Sequence, residues 1–422
     1  MRLQQTQVQW SGYKWIVVAG LWLACTLNYA DRQLIFTVFP PLGKEFKLSD
    51  SSLWVLSGSF MWMYALVGPV AGFICDRLRR RTLILCALLF WSLTVAATAW
   101  AQKYWELVIG VALSGLCEAF YFPAAISLIS DYHDVDTRSR AMSLHQSGVY
   151  VGSIVGGSAA GFVAQYYGWR LGFRLFGAAG AAASLLLWLL LREPARGMSD
   201  PSTESSRSTG RLTEALREIA DNYGAWLLIF VFMGANFVAM ILIVWLPTFL
   251  YRKFHMSLSM AGLNGTAYLQ IASIFGVIAG GAVADGLVKR KRGGGYPRML
   301  VQSIGLLCGV PFLFLCGSTT TVAIVLTAMV GIGIAKGIYD SNVWAALYDV
   351  VPLELRGASV GITNSLGWLS GAAAQLCIGL ASVRFGMSAC ISATAAIYFC
   401  MGIILFWGAR HPAQKGVKPI PA

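Results

Sequence analysis

The chain has 422 residues, of which 57% are hydrophobic and only 12% charged, and it carries a formal net charge of +13. A soluble domain is about 25% charged, so this composition, with a mean hydropathy of +0.64, excludes a soluble protein and indicates an integral membrane protein. The basic excess is confined to loops, which fits a membrane surface and excludes a nucleic-acid partner.

A membrane-spanning helix needs about 20 mostly apolar residues. Twelve such runs are predicted, at 15–39, 53–74, 82–101, 105–130, 141–164, 172–191, 224–250, 262–286, 298–317, 321–350, 358–382 and 387–409. The first run is too long for a cleavable signal peptide and no Ala-x-Ala site follows it. The nine cysteines are scattered singly, without disulfide or metal spacing, and read as small core residues. No cofactor is expected.

Within the first run lies Asn28-Tyr29-Ala30-Asp31-Arg32, an acid beside a base where hydrocarbon is expected. Each charge at a helix centre costs roughly 2.5–3.5 kcal/mol on insertion scales, so this pair should face a polar cavity. Successive residues diverge by about 100° around a helix, so Asp31 and Arg32 cannot easily satisfy each other. The functional reading has Arg32 holding an anionic group of a substrate while Asp31 takes up a proton. The plainer one is a buried structural ion network. Glu118, in the fourth run between Gly115 and Pro123, is a second buried carboxyl able to exchange protons near neutral pH. The plainer reading of Glu118 is a structural bridge to Arg32 across helices, and the two readings are compatible, since a bridge broken by substrate or proton is how coupling would work.

The longest polar stretch is central, from Arg192 to Asn222. Residues 199–206 read as a flexible linker and residues 212–220 as a short amphipathic surface helix. The expected organisation is therefore a six-helix bundle over 1–191, a linker over 192–222, and a second six-helix bundle over 223–422. With both termini in the cytoplasm, inside segments hold 22 lysines and arginines and outside segments hold 8. This asymmetry orients the chain, with a bacterial inner membrane as the expected location.

The halves repeat. Gly72-x-x-x-Asp76 precedes an arginine cluster, and Gly281-x-x-x-Asp285 precedes Lys289-Arg290-Lys291-Arg292. Asp131 precedes Arg138 by seven residues, as Asp349 precedes Arg356. Parallel repeats about an axis along the membrane normal, with a site between them, form a transporter architecture. Lys336 and Asp340, four apart in the tenth run, share a helix face and are either a self-contained pair or a second substrate or coupling site. Neutral polar residues also line the runs. Tyr29, Tyr121, His145, Gln146, Tyr268, Tyr339 and Asn364 are candidate substrate contacts, against the alternative of interhelical hydrogen bonding. The stretches Gly148–Gly161 and Gly276–Gly281 read as small-residue packing faces rather than phosphate loops.

The run from Gly72 through Asp76, Arg77 and Arg80 to Arg81 resembles the signature loop of the major facilitator superfamily, and the resemblance extends over essentially the whole chain. Residues Asn28–Arg32, the segment Gly115 to Ala119 with Pro123, and Gly168-Trp169-Arg170 resemble two of its groups, the anion:cation symporters and the Spinster-like lipid transporters. Arg192-Glu193-Pro194 and Asp50-Ser51-Ser52 lean toward Spinster. Both groups usually carry an arginine seven residues before the glutamate of the fourth helix. Here that position is Val111, and Lys336 is the candidate replacement. The resemblance implies an all-α membrane fold of 12 transmembrane helices in two six-helix bundles related by a pseudo-twofold axis. It also implies that Asp76, Arg77, Arg80, Asp131 and Arg138 form latches on the cytoplasmic side, mirrored by Asp285, Asp349 and Arg356. The function expected is secondary active transport by alternating access, driven by protons, of a small organic anion such as a sugar acid or monocarboxylate. Its partners would be that substrate, protons and the bilayer, and the protein is expected to be a monomer. One alternative is a lysophospholipid or other amphiphile as substrate; another is a transporter-like membrane sensor. No nucleophile–base set, metal cluster or appended domain supports an enzyme.

Overall fold

The computed structural model describes residues 2–75, 77–133, 135–194, 221–290, 296–351 and 356–410. Its elements are helices: α1 (Arg2–Thr37), α2 (Phe39–Glu45), α3 (Asp50–Cys75), α4 (Arg80–Thr98), α5 (Tyr104–Tyr132), α6 (Val135–Tyr166), α7 (Trp169–Leu190), α8 (Tyr223–Lys253), α9 (Leu258–Arg290), α10 (Tyr296–Ser318), α11 (Val322–Asp340), α12 (Val343–Val350), α13 (Arg356–Phe385) and α14 (Met387–Arg410). Among the described residues, 10 spans are long and apolar enough to cross a membrane. Helices satisfy their own backbone groups, which hydrocarbon cannot do, so an all-helical chain is the physical consequence of this composition. The predicted surface helix at 212–220 lies outside the described residues.

Two boundaries differ from the apolar pattern. The first run ends at Thr37, and the chain re-enters a short helix with Pro40 in its first turn, where a missing N–H costs nothing. The predicted helix 321–350 is broken at Ser341-Asn342. Gln302 Nε2 donates to the carbonyl oxygen of Asn342 at 2.8 Å, and Asn342 Nδ2 donates to Ser341 Oγ at 2.7 Å. Hydropathy cannot register such a break, because the segment stays apolar on both sides of it.

The chain divides into two compact units, Met1–Arg207 with Ser257–Leu263, and Ser208–Met256 with Asn264–Ala422. Within the first, α1 packs on α6 and α7, α3 on α5, and α4 on α5 and α7. The second repeats this scheme. There α8 packs on α13 and α14, and α10 on α11 and α14. The counterpart of the α3–α5 contact is α9 on α11, where Gly276 and Gly333 lie against the facing backbone. The same pairing in both units is the structural form of the sequence repeat.

The seam between α1 and α6 is set by Gly148, Gly152 and Gly156. A Cβ at these positions would press on Trp22 and Cys25, on Thr26 and Tyr29, and on Ala30 respectively. Small residues every fourth position let the two backbones approach closely, and this fixes the height and rotation of Asp31 and Arg32. A second clamp holds the far end of the unit. Glu45 accepts a hydrogen bond from Trp169 Nε1 at 2.6 Å and pairs with Arg170 at 2.6 Å, immediately after Gly168 turns the chain at φ +85°. The Gly168-Trp169-Arg170 motif is thereby accounted for as a corner.

Alanine usually stabilises a helix over glycine by up to about 1 kcal/mol. That gain is expected for Gly68→Ala, where nothing lies within 4 Å of the added carbon. Gly152→Ala should instead destabilise by about 1–3 kcal/mol through overpacking. Melting temperatures of the two variants in detergent check this, and equal shifts would refute the close-packed seam.

Candidate functional site

The seam delivers Asp31 and Arg32 into the interior of the first unit, pointing in different directions. Trp91 of α4 donates its indole N–H to Asp31 Oδ2 at 2.5 Å. Asp31 Oδ1 is buried and has no hydrogen-bond partner among the described residues. Arg32 Nε donates to Glu118 Oε2 of α5 at 2.6 Å, with the two side chains only 8% and 1% exposed. The Glu118–Arg32 bridge of the plainer reading is therefore present.

Three rings enclose the guanidinium. Arg32 Cζ lies 4.5 Å from the ring centre of Tyr29, 4.9 Å from that of Phe60 and 5.1 Å from that of Tyr64. Phe60 and Tyr64 are four apart on α3, share a face and stack with centroids 6.1 Å apart. They come this close because α5 carries Gly115 opposite the backbone of Phe60, with no room there for a Cβ. Glu118 follows Gly115 by one turn, so a single close approach sets the carboxylate and the aromatic wall together. Cation–π contacts of this kind are worth up to about 2 kcal/mol when desolvated. The guanidinium thus has a carboxylate and three ring faces around it.

A second buried cluster lies beside the first. Tyr121 Oη donates to the carbonyl oxygen of Leu21 at 2.6 Å and lies 3.1 Å from His145 Nε2. A phenol has one proton to give. With that proton committed to Leu21, His145 must donate from Nε2, which leaves Nδ1 as an acceptor. Nδ1 has no partner among the described residues. Trp91 links the two clusters, its ring meeting that of Tyr121 edge-on at 6.4 Å. Gln146, the next residue, is exposed.

The second unit distributes its candidates differently. Lys336 and Asp340 form an ion pair along one face of α11. Tyr339 is buried, Asn364 is half-buried and Tyr268 is exposed. Asp285 and Arg77 are exposed as well. Asp76 lies outside the described residues, as does the side chain of Arg356. Val111, in place of the arginine that the resemblance leads one to expect, is buried in α5.

Two ion pairs repeat between the units. Arg80, at the start of α4, pairs with Asp131 near the end of α5. Arg298 donates to both carboxylate oxygens of Asp349 at 2.7 and 2.8 Å. Both members are displaced by 218 residues from one pair to the other. Arg138 donates from Nε to the carbonyl oxygen of His133 at 3.1 Å. The sequence reading missed Arg298, although applying the offset of Asp131 and Asp349 to Arg80 points directly at it. It also missed Trp91, Phe60 and Tyr64, which carry no signal beyond being aromatic residues in apolar runs. No cluster of three or more potential metal ligands occurs among the described residues.

Replacing Trp91 by Phe removes the hydrogen bond to Asp31 and leaves a buried carboxyl unsatisfied. The expected cost is about 1–3 kcal/mol of stability. Asp31→Asn combined with Trp91→Phe should not be additive, whereas additive shifts in melting temperature would show that the two side chains are energetically independent.

Residues 21–375 match the family model described as Major Facilitator Superfamily. The chain is 31% identical over 416 residues to Protein spinster homolog 1 of Homo sapiens, an alignment covering 93% of this chain and 78% of that protein. It is 25% identical over 417 residues to a probable anion transporter 4, chloroplastic, of Oryza sativa subsp. japonica, covering 95% and 69% of the two chains. Its fold is similar to the crystal structure of a bacterial homolog to the human lysosomal transporter Spinster, in an inward-facing and unoccupied conformation. That similarity has a TM-score of 0.83 at 24% identity and covers 95% of this chain and 98% of the other.

Proposed function

Because this chain belongs to the Major Facilitator Superfamily and is an integral membrane transporter, we propose that it is a proton-coupled carrier of an organic anion in which Arg32 and Glu118 form the coupling element. The observation that carries this reading is their buried contact at 2.6 Å. Both charges have been removed from water at a cost of several kcal/mol each, and each is compensated chiefly by the other. Neutralising Glu118 with a proton leaves the guanidinium without its carboxylate. An anionic group of the substrate then replaces it, so proton and anion occupy the site together and cross together. Deprotonation restores the Arg32–Glu118 bridge and expels the anion. Asp31 does not compete for Arg32 in this scheme, because Trp91 holds it on another side of α1.

Glu118→Gln imitates the protonated state permanently. The variant should bind substrate and exchange it between equal pools across a proteoliposome membrane at near-normal rates. Accumulation driven by a pH gradient should fall to the level of equilibration. Full gradient-driven accumulation by Glu118→Gln would remove Glu118 from the coupling role.

A second reading of the substrate is supported by the rings of Tyr29, Phe60 and Tyr64 around the guanidinium, and by the resemblance to Spinster-like lipid transporters. An amphiphile would meet Arg32 with its anionic head and aromatic faces with its apolar part. The two readings separate on a chain-length series. Each buried methylene contributes about 0.8 kcal/mol, so the affinity of lysophospholipids should rise steeply with length and Arg32→Ala should reduce it only partly. A hydrophilic acid should show no such series and lose binding entirely in Arg32→Ala. Isothermal titration of both ligand sets against the two proteins decides between them.

A further inference from the structure

The Arg192-Glu193-Pro194 motif begins the segment joining the two bundles, and the coupling scheme makes no use of it. Its surroundings are specific. The α4 helix starts at Arg80 with no side-chain cap of its own, because the residue before it is Arg79. Glu193 fills that place from 113 residues away in sequence. Its Oε1 accepts from the backbone N–H of Arg80 at 3.0 Å and its Oε2 from that of Arg81 at 2.7 Å. A carboxylate there satisfies two orphan donors and lies at the positive end of the helix dipole. Arg81 Nη2 donates to the carbonyl oxygen of Trp188 at 2.6 Å, tying the same turn to α7. On the other side, Tyr132 Oη donates to the carbonyl oxygen of Arg192 at 2.9 Å, and the Arg192 guanidinium lies over the ring of Tyr13 at 5.6 Å.

Glu193 therefore grips the backbone of Arg80, whose side chain pairs with Asp131, while Tyr132, the neighbour of Asp131, grips the backbone of Arg192. These five residues close a ring: Asp131 to Arg80 by charge, Arg80 to Glu193 by its amide, Glu193 to Arg192 by the chain, and Arg192 to Tyr132 beside Asp131. The second unit treats the other end of the segment similarly. Asn222 caps α8 through Ala225 N at 3.0 Å and donates from Nδ2 to the carbonyl oxygen of Val350 at 2.8 Å, next to Asp349.

We propose that Glu193 is a positioning residue for the Arg80–Asp131 ion pair, so that the attachment of the connecting segment to α4 sets the strength of that pair as a conformational latch. The inference rests on the reading of Arg80 and Asp131 as a latch. Loss of the Glu193 carboxylate frees the first turn of α4, lets Arg80 swing away from Asp131, and opens the latch without touching either partner.

The test uses the full chain in nanodiscs, with the exposed native cysteines Cys86, Cys308, Cys377 and Cys400 replaced. Spin labels are placed at Arg140 and Gly286, both exposed. Distance distributions are recorded for the parent, Asp131→Asn, Glu193→Gln and the double variant. Expected are a shift in the same direction in both single variants and no further shift in the double. The Arg80 and Arg81 amides should exchange hydrogen about tenfold faster in Glu193→Gln, as loss of a charge-assisted hydrogen bond implies. If Asp131→Asn leaves the distances unchanged, the latch reading fails and this inference falls with it. If Asp131→Asn shifts them while Glu193→Gln changes only the melting temperature, the latch stands and the role of Glu193 is overturned. An additive shift in the double variant overturns it too, because it means that Glu193 does not act through the pair.

Discussion

The buried contact between Arg32 and Glu118 is the constraint around which the first unit is arranged. Removing one partner of such a pair typically costs about 3–5 kcal/mol, because the survivor keeps its charge without water. The pair therefore demands the geometry found around it. Glycines along α6 bring α1 to a defined depth, Gly115 brings α3 against α5, and three rings close over the guanidinium. None of these features stabilises much by itself. Together they exclude water from a charge that cannot be discharged.

Asp31 gives a useful contrast. It is adjacent to Arg32 in sequence, yet its hydrogen bond comes from an uncharged indole. Two neighbouring ionisable residues thus occupy different electrostatic settings, one paired with an opposite charge and one with a dipole. Adjacent helical positions make this separation unavoidable, since about 100° of rotation separates them. Asp31 Oδ1 and His145 Nδ1, which have no hydrogen-bond partner among the described residues, belong to the side chains on either side of the Trp91–Tyr121 contact. Buried polar atoms without partners are costly and uncommon, so this side of the unit holds polar capacity that packing alone does not require.

The internal repeat organises the ion pairs at the helix ends but not the interior. Arg80–Asp131 and Arg298–Asp349 keep the same offset and the same topological position. The interior diverges, for Lys336 and Asp340 satisfy each other along one helix, whereas Arg32 reaches across to another. An intrahelical pair four residues apart forms whatever the neighbouring helices do. An interhelical pair exists only while two helices stay together. Of these two interior pairs, the one in the first unit is the one that joins two helices.

The membrane class, the helical spans, the duplication and the Asp31, Arg32 and Glu118 candidates were all legible in the amino-acid sequence. Each leaves a one-dimensional mark. Twenty apolar residues in a row have one structural outcome in a bilayer, and a charge inside such a run is too costly to be incidental. The positions of Trp91, Phe60, Tyr64 and Glu193 were not legible, because an aromatic residue in an apolar run, or an acid at a helix end, looks the same whatever it touches. The break at Ser341-Asn342 was invisible for a related reason: the side chain that braces it, Gln302 on the Asn342 carbonyl, comes from 40 residues away. What the linear order determined was which residues hydrocarbon would not tolerate alone. Which partner each of them received was decided only by the close approach of helices at Gly115 and along the Gly148–Gly156 seam, since hydrogen bonds and ion pairs act over a few ångströms and depend on contacts that chain order does not contain.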